Sequence, residues 1–279
     1  SLDRPPSGRA EDDREGRHGR TIRRATRFAG VERLTDWDAQ WRVEPLDPAA
    51  PDAEERTPRW RAQERLVLER FGSFADLQVV ELGAGRGLNA LLYARRGARV
   101  TLLDVSTFVL SQAEELFRAH DLSAELVEGD VFDLPKEVRD RFDVSMSFGL
   151  CEHFLAERRR RVVGSHLEVL RPGGIAMIGV PNRFAPAYRL WMGVLKARGS
   201  WPLGTEVPFS ARELATLARA AGGKPLEPVY GSFTASLVNH GVNQALFKLG
   251  RKGLRVPQPA VPALDRLGYE LLLPVVRPG

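Results

Sequence analysis

The chain predicts an α/β fold built on a doubly wound, mostly parallel sheet, and three observations carry that expectation. The first is Val79-Val80-Glu81-Leu82-Gly83-Ala84-Gly85-Arg86-Gly87, a hydrophobic strand that runs through an acidic residue into three alternating glycines. The second is a repeated ending: the apolar stretch Ala98–Asp104 closes on a carboxylate, and Ala124–Glu128 is followed by Gly129-Asp130. In an open α/β sheet such endings gather at the edge where ligands bind. The third is spacing, because the helix-forming stretches between these strands each suit a βαβ unit.

The elements follow in order. Residues 1–27 hold eight arginines and five carboxylates with almost no large apolar side chain, the composition of a disordered tail. Residues 28–72 read as a helical N-terminal cap carrying Trp37, Trp41 and Trp60, and the first two, four apart, share a helix face. Residues 73–279 form the main domain. Leu88–Arg96 is a run of good helix formers that stops at Gly97, a natural C-terminal breaker. A fourth strand, Phe142–Phe148, leads into Gly149-Leu150-Cys151-Glu152-His153, and Leu170-Arg171-Pro172-Gly173-Gly174 turns a helix into a fifth strand, Ile175–Val180.

Two insertions interrupt this plan, at about 181–209 and 235–265. In the first, Phe184, Tyr188, Trp191 and Leu195 recur at helical spacing, which makes an apolar stripe flanked by Arg183, Arg189, Lys196 and Arg198. The stripe suits a substrate lid; core packing, a dimer seam and a membrane-surface helix are its other uses. Ser210-Ala211-Arg212-Glu213 reads as a capping box opening a helix to Ala221. The tetrad Arg158–Arg161 reads as a solvated helix face away from the ligand edge.

Composition narrows the function. A hydrophobic content of 43% is ample for a packed core, while no apolar run reaches the ~20 residues that span a bilayer, so no stable membrane insertion is expected. The charged first residues lack an apolar signal segment and Cys151 is the single cysteine, which together favour a cytoplasmic, reducing compartment. Net charge is +5, but residues 1–27 account for +3 of it, so the body is nearly neutral. Nucleic acid is therefore not an expected partner, since phosphate tracking needs a concentrated basic surface. No metal-ligand spacing is apparent.

The glycine spacing separates two ligand classes. A dinucleotide fingerprint places a third glycine where this chain has Leu88. With Glu81, Gly83, Gly85 and Gly87 the chain instead resembles the class I S-adenosylmethionine-dependent methyltransferases, whose first motif reads acidic-x-Gly-x-Gly-x-Gly. The resemblance covers roughly Arg59 to Val276. It implies a Rossmann-like doubly wound seven-stranded sheet with an antiparallel last strand, plus helical N-terminal and lid insertions. Lys224–Thr234 and Tyr269–Val276 fit its final antiparallel pair. It assigns the ribose hydroxyls to Asp104 and the adenine to Asp130 and Val131, and it extends the cofactor set to Ala84, Val105, Phe148, Trp37 and Trp41. The implied cofactor is S-adenosyl-L-methionine and the product S-adenosyl-L-homocysteine.

A sulfonium activates its own methyl, so placement of the acceptor supplies most of the catalysis. A general base helps a phenol, an alcohol or an acidic carbon, and His153 stands at the right edge, with Glu152 and His240 as alternatives. Phe184, Tyr188 and Trp191 are the candidate acceptor contacts. The expected function is methyl transfer to an O or N atom, with C open, of a hydrophobic or aromatic small molecule in specialised metabolism. A cyclase that binds the same cofactor without methyl transfer and an RNA methyltransferase are the alternatives, and a homodimer is compatible with the lid stripe.

Overall fold

The computed structural model describes residues 23–24, 37–43, 45–254 and 262–279. The elements run β1 (Arg23–Arg24), α1 (Trp37–Val43), α2 (Ala50–Glu55), α3 (Pro58–Phe71), β2 (Gln78–Leu82), α4 (Leu88–Ala94), β3 (Arg99–Asp104), α5 (Thr107–Arg118), β4 (Glu125–Glu128) and β5 (Phe142–Phe148). They continue with α6 (Ala156–Val169), β6 (Leu170–Pro181), α7 (Pro186–Ala197), α8 (Ala211–Ala220), β7 (Lys224–Pro225), β8 (Val229–Tyr230), α9 (Phe233–Leu237), α10 (Asn243–Lys248), α11 (Pro262–Asp265) and β9 (Glu270–Val276).

One sheet runs β1-β4-β3-β2-β5-β6-β9-β7, with β8 also paired to β9. All pairings from β1 to β6 are parallel, whereas β9 runs antiparallel to β6, β7 and β8. The order reverses between β3 and β5 around β2, the topological switch point at which open sheets bind ligands. The expected seven-stranded plan is present with two departures. Its sixth strand, expected over Lys224–Thr234, is split into β7 and β8, because Pro225 and Pro228 deprive that edge of backbone donors. Arg23–Arg24, inside the stretch expected to be disordered, pairs with Val127 and Glu128; the rest of residues 1–27 lies outside the described residues.

Period-two patterning builds both sides of the core. Val79, Leu102 and Met177 face one apolar layer with α3, α4 and α5, while their neighbours Val80, Leu103 and Ile178 face the other with α6 and α8. Within the first layer Trp60 meets the Tyr93 ring edge-on at 5.4 Å, so this tryptophan docks α3 on the sheet. Helix starts obey local chemistry: the hydroxyls of Thr57, Ser106 and Ser210 accept from the backbone N–H groups of Trp60, Val109 and Glu213. The Ser210 box is only half closed, because the Glu213 carboxylate pairs with Arg159 at 2.8 Å instead. No helix among the described residues is long and apolar enough to cross a membrane.

Gly223 lets α8 return closely to the sheet. A Cβ there would stand 2.5 Å from Val275 Cγ1 and 2.9 Å from Leu167 Cδ1. Gly223→Ala should therefore cost about 1–3 kcal/mol by overpacking, read as a lower urea midpoint with unchanged slope; an unaltered midpoint would show that this contact relaxes freely.

Candidate active site

Because β2, β3, β4 and β5 are parallel, their carboxyl ends share one edge. The loops that leave them, together with α1 and residues 201–205, enclose a cavity of about 840 Å³, a normal size for a small-molecule site. Its floor is the glycine loop. Gly83 and Gly85 hold positive φ values of 58° and 52°. A Cβ on Gly83 would stand 2.6 Å from Leu150 Cδ1, and one on Gly85 2.9 Å from Trp41 Cζ2. Bare backbone is thus required twice over, by conformation and by close approach.

Asp104, at the end of β3, fixes that loop. Its two carboxylate oxygens accept from Gly85 N–H and Ser106 N–H, each at 2.9 Å. Burial raises its pKa against the opposing pull of the backbone donors of Ser106, Gly85 and Val105. A carboxylate offers about four lone-pair sites, so these three donors leave capacity for a ligand hydroxyl. Glu81 does something different: Oε2 accepts from Ala90 N–H at 3.0 Å, which ties β2 to the first turn of α4, and burial pushes its carboxyl up to about 8. Glu81 and Gly87 underpin the loop without lining the cavity, whereas Gly83, Ala84, Gly85, Asp104, Val105, Asp130, Val131 and Phe148 line it.

The N-terminal cap brings Trp37 and Trp41 onto the same cavity. The residue that holds them there was not legible in the sequence. Arg86, in the middle of the glycine loop, donates to the Trp41 and Pro45 carbonyls at 3.3 and 3.0 Å and to Gln112 Oε1 at 3.0 Å, with its guanidinium 5.2 Å from the Trp41 ring. Ser106 completes the clamp by donating to the Asp38 carboxylate.

At the other end of the cavity stands His153, in a single 3-10 turn after β5. Its Nδ1 lies 2.8 Å from the Thr205 carbonyl, and Trp37 meets its ring edge-on at 4.7 Å. A carbonyl only accepts, so Nδ1 carries the hydrogen and Nε2 of the neutral ring keeps its lone pair. Burial lowers the His153 pKa, opposed by the Thr205 and Gly149 backbone, which keeps the ring neutral near pH 7. Glu152 is 3% exposed and does not line the cavity; Oε2 has no hydrogen-bond partner among the described residues, and burial pushes its carboxyl up to about 8.

The remaining candidates sit elsewhere. Phe184 is 59% exposed, and Tyr188 and Trp191 pack with Trp201, Tyr269 and His240 in a separate ring cluster; of these only Trp201 reaches the cavity wall. His240 is held there 5.0 Å from the Tyr188 ring, with Nδ1 on the Ser236 carbonyl. From the same insertion Trp201, Pro202, Gly204 and Thr205 line the cavity instead. The arginine tetrad also departs in part from its expected solvated face. Arg158 lines the cavity over Phe132 at 4.5 Å and Arg159 is buried on the Phe209 ring and Glu213, whereas Arg160, paired with Glu157, and Arg161, which donates to the Phe132 carbonyl, are exposed as expected. Among the described residues no three metal-ligating side chains cluster.

A family model described as a methyltransferase domain matches residues 79–174, which span the glycine loop, Asp104, Asp130 and His153. These residues carry the domain of the class I S-adenosylmethionine-dependent methyltransferases. A ubiquinone biosynthesis O-methyltransferase of Chromobacterium violaceum is 29% identical over 56% of this chain and 68% of its own length. A demethylmenaquinone methyltransferase of Tropheryma whipplei is 32% identical over 48% of this chain and 54% of its own. The chain spans about half the length of most curated relatives it matches. Among solved structures, one from work on converting a disulfide bond into a thioacetal group during echinomycin biosynthesis superposes with a TM-score of 0.59 at 24% identity, covering 88% of this chain and 93% of that one. The cyclase SpnF superposes with a TM-score of 0.53 at 22% identity, covering 78% and 80%. Both likenesses show a shared fold.

The methyltransferase site fits the family's cofactor, S-adenosylmethionine. The Cβ-free cradle of Gly83 and Gly85, the spare acceptor sites of Asp104 and the Asp130 carboxylate stand around one cavity. Asp104→Ala should weaken S-adenosylmethionine binding by roughly 1.5–3 kcal/mol, the worth of a charged hydrogen-bond partner. Calorimetry reads this directly, and an unchanged affinity would remove the ribose from Asp104.

Proposed function

We propose that the protein transfers the methyl of S-adenosylmethionine to an oxygen or nitrogen, with carbon open, of a hydrophobic or aromatic small molecule of specialised metabolism. The observation that carries this reading is His153, which lines the cavity with Trp37, Phe148 and Trp201 and whose Nδ1 lies on the Thr205 carbonyl, leaving Nε2 to carry the lone pair of the neutral ring. The curated relatives that act on quinone precursors support an aromatic acceptor. Cys151, a buried free thiol, suits a reducing compartment such as the cytoplasm.

Bound S-adenosylmethionine supplies an electrophilic methyl whose C–S bond breaks as the acceptor–carbon bond forms. The chain's own residues prepare that exchange. Asp104 would hold the ribose, Asp130 and the Val131 backbone the adenine, and the Gly83–Gly85 loop the remainder of the cofactor. Trp37 and Trp201 shield the acceptor end from water and present flat apolar faces to an aromatic ring. His153 Nε2 takes the acceptor's proton, and the resulting imidazolium still donates from Nδ1 to the Thr205 carbonyl, so the ring need not turn. Glu152, whose carboxyl burial pushes up to about 8, stands outside the cavity wall.

His153 is active when unprotonated, so the rate should fall as pH drops through its lowered pKa. On any phenol that the wild-type protein methylates, His153→Ala should flatten this acidic limb and reduce turnover by roughly 10²–10⁴-fold, with cofactor affinity retained. Persistence of the limb in the variant would assign the base to another group.

A further inference from the structure

The two insertions pack on one another and carry exposed side chains that the methyl-transfer reading leaves unused. Tyr188 and Trp191 of α7 pack against His240, so α7 and the region from α9 to α10 form one body held by the ring cluster. The inner face of this body is consumed by that cluster. Its outer face combines two properties seldom found together. More than half of the exposed large apolar side chains in the described chain lie in residues 183–198 and 237–254: Leu190 and Leu249 are each 71% exposed, Phe184 59%, and Phe247 and Leu254 each 55%. The same two segments carry Arg183, Arg189, Lys196, Arg198, Lys248, Arg251 and Lys252 and not a single aspartate or glutamate. Among the described residues, no carboxylate forms a salt bridge with any of them, and of the seven Lys196 turns its ammonium toward the Glu206 carbonyl and the Trp201 ring.

The pattern within α7 is regular. Pro186, Arg189, Leu190, Gly193, Lys196 and Ala197 are exposed at spacings of three, one, three, three and one, while Tyr188 and Met192 are buried. A helix with leucine interleaved among basic side chains on its open face suits the boundary between headgroups and acyl chains, where long basic side chains reach anions while apolar ones insert. Charge excludes the simplest protein partner, a second copy of this chain: two acid-free basic faces would repel. Nucleic acid would satisfy the cations and leave the leucines wet.

We propose that this lid face docks reversibly on an anionic lipid surface. Trp191 of the lid lies 5.3 Å from Trp201, and Trp201 forms part of the cavity wall, so docking would set the acceptor end of the cavity beside the bilayer. The inference does not depend on which acceptor is methylated.

Vesicle flotation of the full chain tests it. The protein should float with phosphatidylglycerol-containing vesicles and not with pure phosphatidylcholine, and about 0.5 M salt should release it by screening. L190D/L249D and R189E/K252E should each weaken vesicle binding by roughly tenfold or more, while S-adenosylhomocysteine affinity and thermal midpoint stay at wild-type values, which shows the variants are folded. Three results would overturn the proposal: no flotation with anionic vesicles, which would leave an acidic protein as the partner such a face fits; equal flotation with neutral ones; or variants that float as the wild type does, which would place binding in the arginine-rich 1–27 segment.

Discussion

The structure turns on the carboxylate of Asp104. By accepting from Gly85 and Ser106 at once, it joins the loop after β2 to the start of α5 and fixes where bare backbone meets the cavity. Ser106 then caps α5 and reaches Asp38, and Arg86 grips the cap from the loop's other side. Cofactor floor, second-strand acid and N-terminal cover are therefore one connected unit, because each polar group left buried without a partner would cost stability.

Burial governs the chemistry of the opposite end. Desolvation lowers the His153 pKa against the Thr205 and Gly149 backbone, and Nδ1 is held by the Thr205 carbonyl, while Glu152 and Glu206 are pushed up to about 8 and about 7 by burial. Glu206 accepts from the Tyr188 hydroxyl and belongs to the ring cluster. Arg59 adds a mechanical link: it pairs with Glu54 and Glu270 and covers the Phe148 ring at 4.7 Å, coupling α3 to the last strand and to the cavity wall.

The sheet and the cofactor end were legible because they rest on local chemistry. Strand endings, glycine spacing and Ser210 as a helix cap are properties of short windows, and alternation such as Leu102 and Leu103 assigns each strand two buried faces. The acceptor end was not, because it depends on which segments meet. Residues 201–205 are too short and too rich in Gly and Pro to show periodicity; their placement comes from bonds to the His153 ring and, next to them, from Val207 N–H to the Glu152 carbonyl. Arg159 reads as one of four equivalent charges until Phe209, Glu213 and the Val207 carbonyl are folded around it. The stripe on α7 was correctly apolar and wrongly aimed: spacing shows that Tyr188 and Trp191 share a face, and tertiary packing turns that face toward Tyr269 and His240.

The loop fixed by Asp104 forms the floor of a cofactor site. Calorimetric titration of S-adenosylmethionine and S-adenosylhomocysteine into the wild-type protein tests it most directly. Each ligand should bind at one site with micromolar strength, in competition with the other. Absence of binding by both would contradict it.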